Sequence, residues 1–303
     1  MKLSPPDLID TGLLPLVDAT RAFYETRAPG RGPSSWDELQ AFRAAAKPPV
    51  QCDLPALVEI ARSGGYQVPV RIVLPASGKP GGVLLNLHGG GFYMGSAADD
   101  VRNRELADAV GMVVVSLDYR LAPEHPWPAA PDDCETVALW LTEHASSRFG
   151  TSRLAIGGFS AGSTLAVTTL VRLRNRGISA FDAAVLQFGT YDLSAQTPAG
   201  RLIADEYFIE AYAGTAPDRT HPDLSPIYAD LSELPPALII VGEDDVLLHD
   251  NLAFATRLMA AGVEVELRVY PAAPHAFTNH PTPIAQAALE DLHAWLKGQL
   301  ATR

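Results

Sequence analysis

Cysteine is scarce in this chain: its 303 residues include only Cys52 and Cys134. The two lie far apart, and neither belongs to a CxxC motif or to a cluster of cysteine and histidine. Such spacing indicates neither a disulfide framework nor a zinc site. We therefore expect no metal, and we predict that both cysteines are buried as small hydrophobic side chains.

Runs of positive charge are also missing. Lys and Arg number 23 against 35 Asp and Glu, which gives a formal net charge of -12. A nucleic-acid backbone or an anionic membrane surface would be repelled by this charge. The sequence therefore predicts no nucleic-acid partner and no membrane partner.

Long apolar segments are absent as well. No run approaches the roughly 20 apolar residues of a membrane span. The N-terminal stretch MKLSPPDLIDTG lacks the basic segment and apolar core of a signal peptide. We expect a soluble, cytoplasmic protein. Hydrophobic residues make up 47% of the chain, enough for a large core, so one main domain with additions is expected.

Short apolar runs, in contrast, are abundant and alternate with helix-like segments. They are GVLLNL at 82–87, GMVVVSL at 111–117, RLAIGG at 153–158, AAVLQFG at 183–189, PALIIVG at 236–242 and VEVELRVY at 263–270. Near-continuous apolar strands separated by helices are typical of a parallel sheet buried on both faces. Before them, ALVEIARS and YQVPVRIVLP flank Gly64 and Gly65, which predicts an antiparallel hairpin at one edge. The predicted fold class is α/β, with a mostly parallel twisted central sheet and helices on both faces.

Two segments fall outside this alternation. Residues 1–50 contain amphipathic stretches broken by Pro and Gly, which predicts short helices appended to a main domain at residues 51–303. Residues from about 193 to about 231 form an irregular stretch that is too long for an ordinary loop. We predict that this insertion contributes to a cap over the carboxyl ends of the strands.

Ser160 lies in GGFSAGST, between a predicted strand and a predicted helix that ends near Gly177. A nucleophile at such a turn needs strained backbone angles, and Gly158 and Gly162 lack the Cβ atoms that would collide across the bend. The helix also directs unpaired N–H groups and its positive dipole end towards the site. The pattern indicates a nucleophilic serine, although G-x-S-x-G also arises by chance from composition.

The segment HGGGFYMG at 88–95 strengthens this interpretation. Three consecutive glycines directly after a buried strand expose backbone N–H groups, which suits an oxyanion hole. A close approach of backbone to backbone is the structural alternative. A phosphate-binding loop is disfavoured, because no Lys-Ser/Thr follows the glycines.

A serine hydroxyl needs a base to remove its proton, and the base needs a carboxylate partner. Asp245 follows the predicted strand PALIIVG, and His275 follows the next strand, in the order serine, acid, histidine. Glu243 and Asp244 compete with Asp245 for the acidic role. The sequence therefore predicts a triad of Ser160, Asp245 and His275.

Together these segments resemble the hormone-sensitive-lipase-like family of α/β hydrolases, which includes bacterial carboxylesterases. The resemblance extends from about residue 80 to about 298 and rests on HGGGF at 88, DYRLAPEHPWPAAPDD at 118, GFSAG at 158, and LSPIYADLSELPPALIIVGEDDVLLHDN followed by YPAAPHAF. It implies the α/β-hydrolase fold, with Ser160 as nucleophile, Asp245 as acid and His275 as base.

The resemblance further implies backbone donors, a cap and an assembly. The N–H groups of Gly89, Gly90 and Ala161 would form the oxyanion hole, although the sequence leaves open which two of the three glycines at 89–91 face the oxygen. In such enzymes an N-terminal helical segment joins an internal insertion to form the cap, which matches residues 1–50 and about 193–231. Relatives pair through edge strands or helices, so a homodimer is the assembly to expect.

Several positions depart from the usual pattern of the family. Phe159 replaces the Asp or Thr common before the nucleophile, Ala276 replaces the Gly usual after the histidine, and DVLLHDN lacks an Arg-Asp pair. These changes bear on the packing beside the site and hence on substrate choice. Arg120 and Glu124 are expected to brace the oxyanion loop rather than to take part in catalysis.

The expected function is that of a serine carboxylesterase acting on small-molecule esters of short- to medium-chain acids, without a cofactor. An amidase or an aryl formamidase would use the same triad, and a catalytically silent ligand-binding relative is a third alternative that the presence of His275 disfavours. Candidate pocket residues are Phe92, Tyr93, Phe159 and Tyr191. Ordinary core packing explains Phe92 and the two tyrosines equally well.

Overall fold

The central element is a sheet of eight strands in the order β1-β2-β4-β3-β5-β6-β7-β8. The structure is a computed structural model that describes residues 8–27, 32–46, 48, 56–76 and 78–301. The strands are β1 Leu57–Ser63, β2 Tyr66–Val73, β3 Val83–Leu87, β4 Val113–Leu117, β5 Leu154–Phe159, β6 Ala183–Gln187, β7 Ala237–Gly242 and β8 Val265–Tyr270. Each predicted apolar run therefore forms a strand.

The pairing of the strands agrees with the prediction from sequence. Strands β4, β3, β5, β6, β7 and β8 are mutually parallel, whereas β1 and β2 are antiparallel at one edge. Gly64 and Gly65 connect β1 to β2 with φ angles of 57° and 86°, which glycine adopts without steric cost. The α/β fold class with an edge hairpin is confirmed.

Helices cover both faces of the sheet. They are α1 Val17–Glu25, α2 Trp36–Ala45, α3 Asp100–Val110, α4 Ala129–Phe149, α5 Ala161–Asn175, α6 Tyr207–Ala213, α7 Leu248–Ala260 and α8 Pro283–Ala301. One core lies between the sheet and α4, α5 and α7, and a second core lies on the face covered by α3 and α8. Cys134 of α4 is fully buried, as predicted, whereas Cys52 lies outside the described residues.

The N-terminal segment packs against the C-terminal part of the chain. The 3₁₀ turn Thr11–Leu16 and α1 pack on α8, where the Tyr24 hydroxyl lies 3.0 Å from Nδ1 of His280. Helix α2 begins after Ser35, whose hydroxyl accepts the Glu38 N–H at 3.3 Å, as expected of an N-cap.

The insertion near 193–231 contains α6 and two 3₁₀ turns, Gly200–Ile203 and Pro226–Tyr228. The division into a cap and a catalytic domain stays a prediction.

Arg172 joins helix α5 to helix α4 and to the insertion. It lies 2.8 Å from Asp132 and 3.1 Å from Glu135 of α4, and its Nη2 lies 2.5 Å from Asp223 in the insertion. Asp223 also accepts the indole N–H of Trp127 at 2.8 Å. The side chains of Glu135 and Asp223 are only 9% and 10% exposed, and Arg172 is the cation that the nearly buried Asp223 binds.

Replacing Arg172 by Ala should leave the nearly buried Asp223 carboxylate without its cation and should remove one of the two cations that bind Glu135. We expect the free energy of unfolding to fall by roughly 3 kcal/mol, the usual loss when one partner of a buried ion pair is removed. Arg176→Ala is the matched control, because Arg176 also binds Glu135 but is 57% exposed, so it should cost less than about 1 kcal/mol. Equal losses by urea unfolding would contradict a special role for Arg172.

Candidate active site

Ser160 occupies a sharp turn between the end of β5 and the start of α5. Its φ and ψ angles are 53° and −123°, a region that residues with a Cβ rarely adopt. The Ser160 N–H donates to the Gln187 carbonyl at 2.9 Å, and the Ser160 carbonyl accepts the Ser163 N–H at 2.9 Å. These bonds hold the strained residue at the carboxyl end of β5.

Two glycines make the turn sterically feasible. A Cβ on Gly162 would lie 2.1 Å from the carbonyl oxygen of Leu87, and one on Gly158 would lie 2.6 Å from the same atom. Contacts this short would displace β3 or α5, so only glycine fits at either position. This is the crowding that the sequence predicts across the bend.

Ser160, His275 and Asp245 form a continuous hydrogen-bonded chain. Nε2 of His275 lies 3.0 Å from Oγ of Ser160. Nδ1 of His275 lies 3.1 and 3.0 Å from the two carboxylate oxygens of Asp245. The ring of Phe188 packs edge to face on the imidazole, with centroids 5.2 Å apart. The structure thus brings together the three residues that the sequence nominates.

The acidic position is occupied by Asp245 and not by its neighbours. The Asp245 side chain is fully buried and accepts the Leu247 N–H at 2.8 Å. Asp244 is exposed, and Glu243 accepts the Ala272 N–H at 3.3 Å instead. Because β5, β7 and β8 are parallel, the loops that follow them meet at one edge of the sheet.

The residue after the histidine, where this chain departs from the family pattern, has a backbone conformation that favours glycine. Ala276 has a φ of 62°, in the left-handed region, where glycine is favoured. The chain accepts an alanine there at some cost in backbone strain. The resulting turn directs the His275 ring back towards Ser160.

The glycine loop after β3 presents backbone donors beside Ser160. A Cβ on Gly89 would lie 2.6 Å from the Phe159 carbonyl, and one on Gly90, whose φ is 113°, would lie 2.4 Å from the Met94 carbonyl. Side chains are therefore excluded from both positions. Among the described residues we find no acceptor for the N–H groups of Gly89, Gly90 and Ala161. These three donors remain available to a bound oxygen.

Side chains below the glycine loop fix its first residue. The ring of His88 stacks on Tyr119 with centroids 4.1 Å apart, and the Tyr119 hydroxyl donates to the His88 carbonyl at 2.8 Å. Burial lowers the pKa of His88 below its usual value, so the imidazole is neutral at neutral pH. His88 is thus a structural support and carries no charge into the site.

Arg43 of α2 supports the other end of the loop, a role that the sequence did not reveal. Its guanidinium donates to the Tyr93 carbonyl at 2.7 Å and to the Ala122 carbonyl at 2.8 Å, and it pairs with Glu124. Glu124 therefore braces the loop, as expected, through Arg43. Arg120 differs from the expectation, since it binds Asp133 of α4 at 2.9 Å.

The predicted pocket residues separate into two groups. Phe92 is fully buried and stacks on Tyr212 with centroids 3.8 Å apart. Tyr191 is fully buried and stacks on Phe254 at the same separation. Both rings pack against other aromatic rings in the core and do not line the cavity beside the site. Their assignment to a pocket is therefore corrected. Tyr93 is only 3% exposed. Its backbone carbonyl accepts hydrogen bonds from Arg43, which supports the glycine loop.

Phe159 is the predicted pocket residue that does face a cavity. It lines a cavity of about 880 Å³ between the sheet and helices α3 and α8. Gly89 and Gly90 of the glycine loop and Gln187 of β6 line the same cavity. Sequence reasoning missed Gln187, although a polar residue at the carboxyl end of the apolar run AAVLQFG was a signal that could have found it.

The arrangement is suited to proton transfer and nucleophilic attack. His275 can accept the Ser160 proton through Nε2 while Asp245 holds Nδ1. Donors at Gly89, Gly90 and Ala161 can stabilise an oxyanion. Within the described residues, no three side chains of His, Cys, Asp or Glu form a group that could hold a metal ion.

A parallel sheet, a strained serine turn and this hydrogen-bonded chain define the α/β-hydrolase class. The profile of the alpha/beta hydrolase fold family matches residues 84–279, more than half of the chain, so the chain belongs to this family. It superimposes on a hormone-sensitive lipase from a metagenome library with a TM-score of 0.74 and 29% identity, over 99% of this chain and 100% of the other. The predicted resemblance is confirmed.

Similar proteins include several esterases. An ethyl acetate hydrolase of Pseudomonas putida is 34% identical over 74% of this chain and 75% of its own length. The carboxylesterase NlhH of Mycobacterium tuberculosis is 34% identical over 78% of this chain and 80% of its own length. A hyperthermophilic esterase of Pyrobaculum calidifontis has a TM-score of 0.76 at 28% identity and covers 98% of this chain and 99% of its own.

Asp250 is a buried carboxyl group near the acid loop. It lies in the first turn of α7, and its Oδ2 accepts the N–H groups of Tyr191 at 2.6 Å and of Asp192 at 3.3 Å. Its Oδ1 has no partner among the described residues. Burial raises the pKa of Asp250 from 3.8 to about 7, although the two N–H groups oppose this shift.

Asp250→Asn should change how stability depends on pH. The raised pKa means that the folded state binds this proton more tightly than the unfolded state, so stability falls as pH rises from 3.8 to about 7. An asparagine can accept the same N–H groups and cannot ionise. We expect the variant to gain stability relative to the native protein between about pH 4 and pH 8, measured by urea unfolding. A difference that is constant across this range would contradict the assignment.

Proposed function

We propose that this protein is a serine carboxylesterase that hydrolyses esters of short- to medium-chain acids through an acyl-serine intermediate. The observation that carries the proposal is the hydrogen-bonded chain from Asp245 through His275 to Ser160. Relatives named ethyl acetate hydrolase, carboxylesterase and arylesterase support ester hydrolysis as the reaction. The expected substrate is a small-molecule ester.

In the first half of the reaction, Ser160 attacks the ester carbonyl. His275 takes the hydroxyl proton through Nε2, and the buried Asp245 stabilises the imidazolium that forms. The carbonyl oxygen becomes negative and accepts hydrogen bonds from the backbone N–H groups of Gly89, Gly90 and Ala161. Each such donor contributes about 3 kcal/mol to transition-state stabilisation. His275 then protonates the departing alcohol, and an acyl-serine remains.

In the second half, water releases the acid. His275 removes a proton from a water molecule that attacks the acyl carbonyl, and the same backbone donors stabilise the second tetrahedral intermediate. The Ser160 oxygen leaves with the proton held by His275. Ser160 and His275 thereby return to their initial states, and no cofactor is required by these steps.

The alternatives differ from an esterase either in the leaving group or in having no catalytic activity. An amidase or aryl formamidase would use the same three residues and release an amine. A catalytically silent ligand-binding relative would have no use for the contact between His275 and Ser160, which lie 3.0 Å apart. This contact favours an enzyme, and the named relatives favour an ester substrate.

The surroundings of the site support a cap built from two segments. Phe208 of α6 lies over the glycine loop, where a Cβ on Gly91 would be 3.1 Å from its Cβ. Arg43 connects α2 to the same loop. These contacts support the prediction that residues 1–50 and about 193–231 form a cap on a catalytic domain at 51–303. Homodimer formation and a cytoplasmic location stay predictions; in the part of the chain that the structure covers, no helix has the length and hydropathy of a membrane span.

The proposal is tested by hydrolysis of p-nitrophenyl esters from acetate to dodecanoate at neutral pH. We expect activity that peaks at short to medium acyl chains. Ser160→Ala and His275→Ala should lower kcat by a factor on the order of 10⁴ to 10⁶, because each removes part of one catalytic unit. Asp245→Asn should lower it by a factor on the order of 10⁴, because the imidazole would lose its orienting partner.

Ser147→Ala is the control, since Ser147 is an exposed residue of α4 away from the site. It should retain native activity. Labelling of Ser160 by an organophosphonate, read by peptide mass spectrometry, reports the nucleophile independently of turnover. Native protein that is folded and hydrolyses formanilides but no ester would favour the amidase alternative, and unaltered ester turnover in Ser160→Ala would refute the mechanism.

A further inference from the structure

The floor of the cavity beside Phe159 is unusually polar for the face of a buried parallel sheet. Strand register aligns Ser116 of β4 with Asn86 of β3, and Asn86 with Gly157 of β5. One step towards the carboxyl ends, Phe159 pairs with Gln187 on the same face. Interior strands normally present apolar side chains to a covering helix, so the polar side chains of this row need hydrogen-bond partners.

One polar atom in this row is left without a partner for a structural reason. Asn103 of α3 donates to the Ala97 carbonyl at 3.3 Å and to the Ser116 hydroxyl at 3.2 Å. Because a carbonyl can only accept, the Asn103 amide nitrogen must face Ala97, and its oxygen accepts the Asn86 amide at 3.1 Å. The Asn86 Oδ1 atom therefore points away from Asn103. It has no donor among the described residues.

Gln187 also keeps one end of its amide free. The other end makes a hydrogen bond with the Thr278 hydroxyl at 3.0 Å. Whichever way the amide is turned, one of its two polar atoms has no partner among the described residues. Asn86 and Gln187 are both partly buried and line the cavity, so these atoms are open to a hydrogen bond with an occupant. A hydroxyl group in the cavity would satisfy Asn86 Oδ1 by donation and could also bond to Gln187.

The interior of the cavity is suited to an uncharged occupant. The charged lining side chains, Asp99, Arg102 and Glu105, are exposed at the rim. Burial lowers the pKa of His280 and His293, so both are neutral at neutral pH. The interior therefore has polar atoms for hydrogen bonds and no fixed charge. Its volume of about 880 Å³ lies within the range of small-molecule sites.

The cavity adjoins the reacting groups at one wall. Gly89 and Gly90 line it, whereas Ser160 and His275 do not. The Phe159 ring forms part of this wall, because a Cβ on Gly89 would lie 2.7 Å from its Cδ2 atom. Phe159 immediately precedes Ser160 in the chain. A rotation of this one ring would open the wall next to the carbon that Ser160 attacks.

We propose that this cavity binds the acyl part of the substrate, that Phe159 gates its entrance, and that the preferred acyl group carries a hydroxyl. The inference rests on the proposed function, since it concerns the acyl group that Ser160 receives. The hydroxyl donates to Asn86 Oδ1, and the apolar part of the chain lies against Leu106, Leu289 and Leu292. Phe159 and Asn86 are thus specificity-determining residues.

The native enzyme provides the first test. Rates of proton release from ethyl hexanoate are compared with those from ethyl 3-hydroxyhexanoate and ethyl 6-hydroxyhexanoate. We expect kcat/KM for at least one hydroxy ester to exceed that for ethyl hexanoate by about fivefold, the effect of one net hydrogen bond. A preference for ethyl hexanoate over both hydroxy esters, or no difference, would overturn the assignment of the hydroxyl. This test needs no variant to fold.

Variants test the location of the acyl chain. Phe159→Ala should raise the ratio of hexanoate to acetate activity by about tenfold, since opening the wall gives access to more apolar surface. Leu106→Trp should lower this ratio by a similar factor, because the larger ring occupies part of the space for the acyl chain. Leu139→Trp is the matched control, since Leu139 of α4 is equally half-buried on the opposite face of the sheet. Asn86→Leu should abolish the preference for the hydroxy ester.

The outcomes distinguish this inference from the proposed function. Ethyl acetate hydrolysis that requires Ser160, combined with hexanoate-to-acetate ratios that do not change in Phe159→Ala and Leu106→Trp, would overturn the acyl cavity and leave the esterase standing. Failure of the native protein to hydrolyse any of the esters would overturn both. A shift in the Leu139→Trp control as large as that in Leu106→Trp would also count against the cavity.

Discussion

The structure of the site depends on one steric constraint, the close passage of the Leu87 carbonyl past the turn at Ser160. Gly158 and Gly162 allow this passage because a Cβ at either position would meet the Leu87 oxygen within 2.6 Å. The constraint holds Ser160 at a positive φ, and α5 starts directly after it. The strain is compensated by hydrogen bonds to Gln187 and Ser163 and by the packing of α5 against the sheet.

The parallel sheet converts this local constraint into a site. Loops after β3, β5, β7 and β8 lie at the same edge because these strands run in one direction. A serine, a carboxylate, a histidine and free backbone donors therefore converge from distant parts of the sequence. Burial of Asp245 beside a partly exposed His275 then gives the imidazole one orientation, which a solvated carboxylate would not do.

Side chains from two other parts of the chain hold the glycine loop from both ends. Tyr119 fixes the His88 end, and Arg43 fixes the Tyr93 end from a helix some 50 residues earlier in the chain. Arg172 ties α4, α5 and the insertion together behind the nucleophile. Both arginines were invisible in the sequence, because an isolated arginine gives no spacing pattern and its partners are distant. Their roles follow from ion pairs that exist only after folding.

The sequence by itself determined the strands, the edge hairpin, the serine turn and the order of acid and histidine. Each of these depends on local features: apolar runs, glycines at fixed offsets, and polar residues at strand ends. Only the tertiary structure decided that Phe92 and Tyr191 pack in the core while Phe159 faces a cavity, since which side an aromatic ring faces depends on distant partners. It also placed Asn86, Ser116 and Gln187 on one floor, because strand register is set by pairing across the sheet and not by the residues of any one strand.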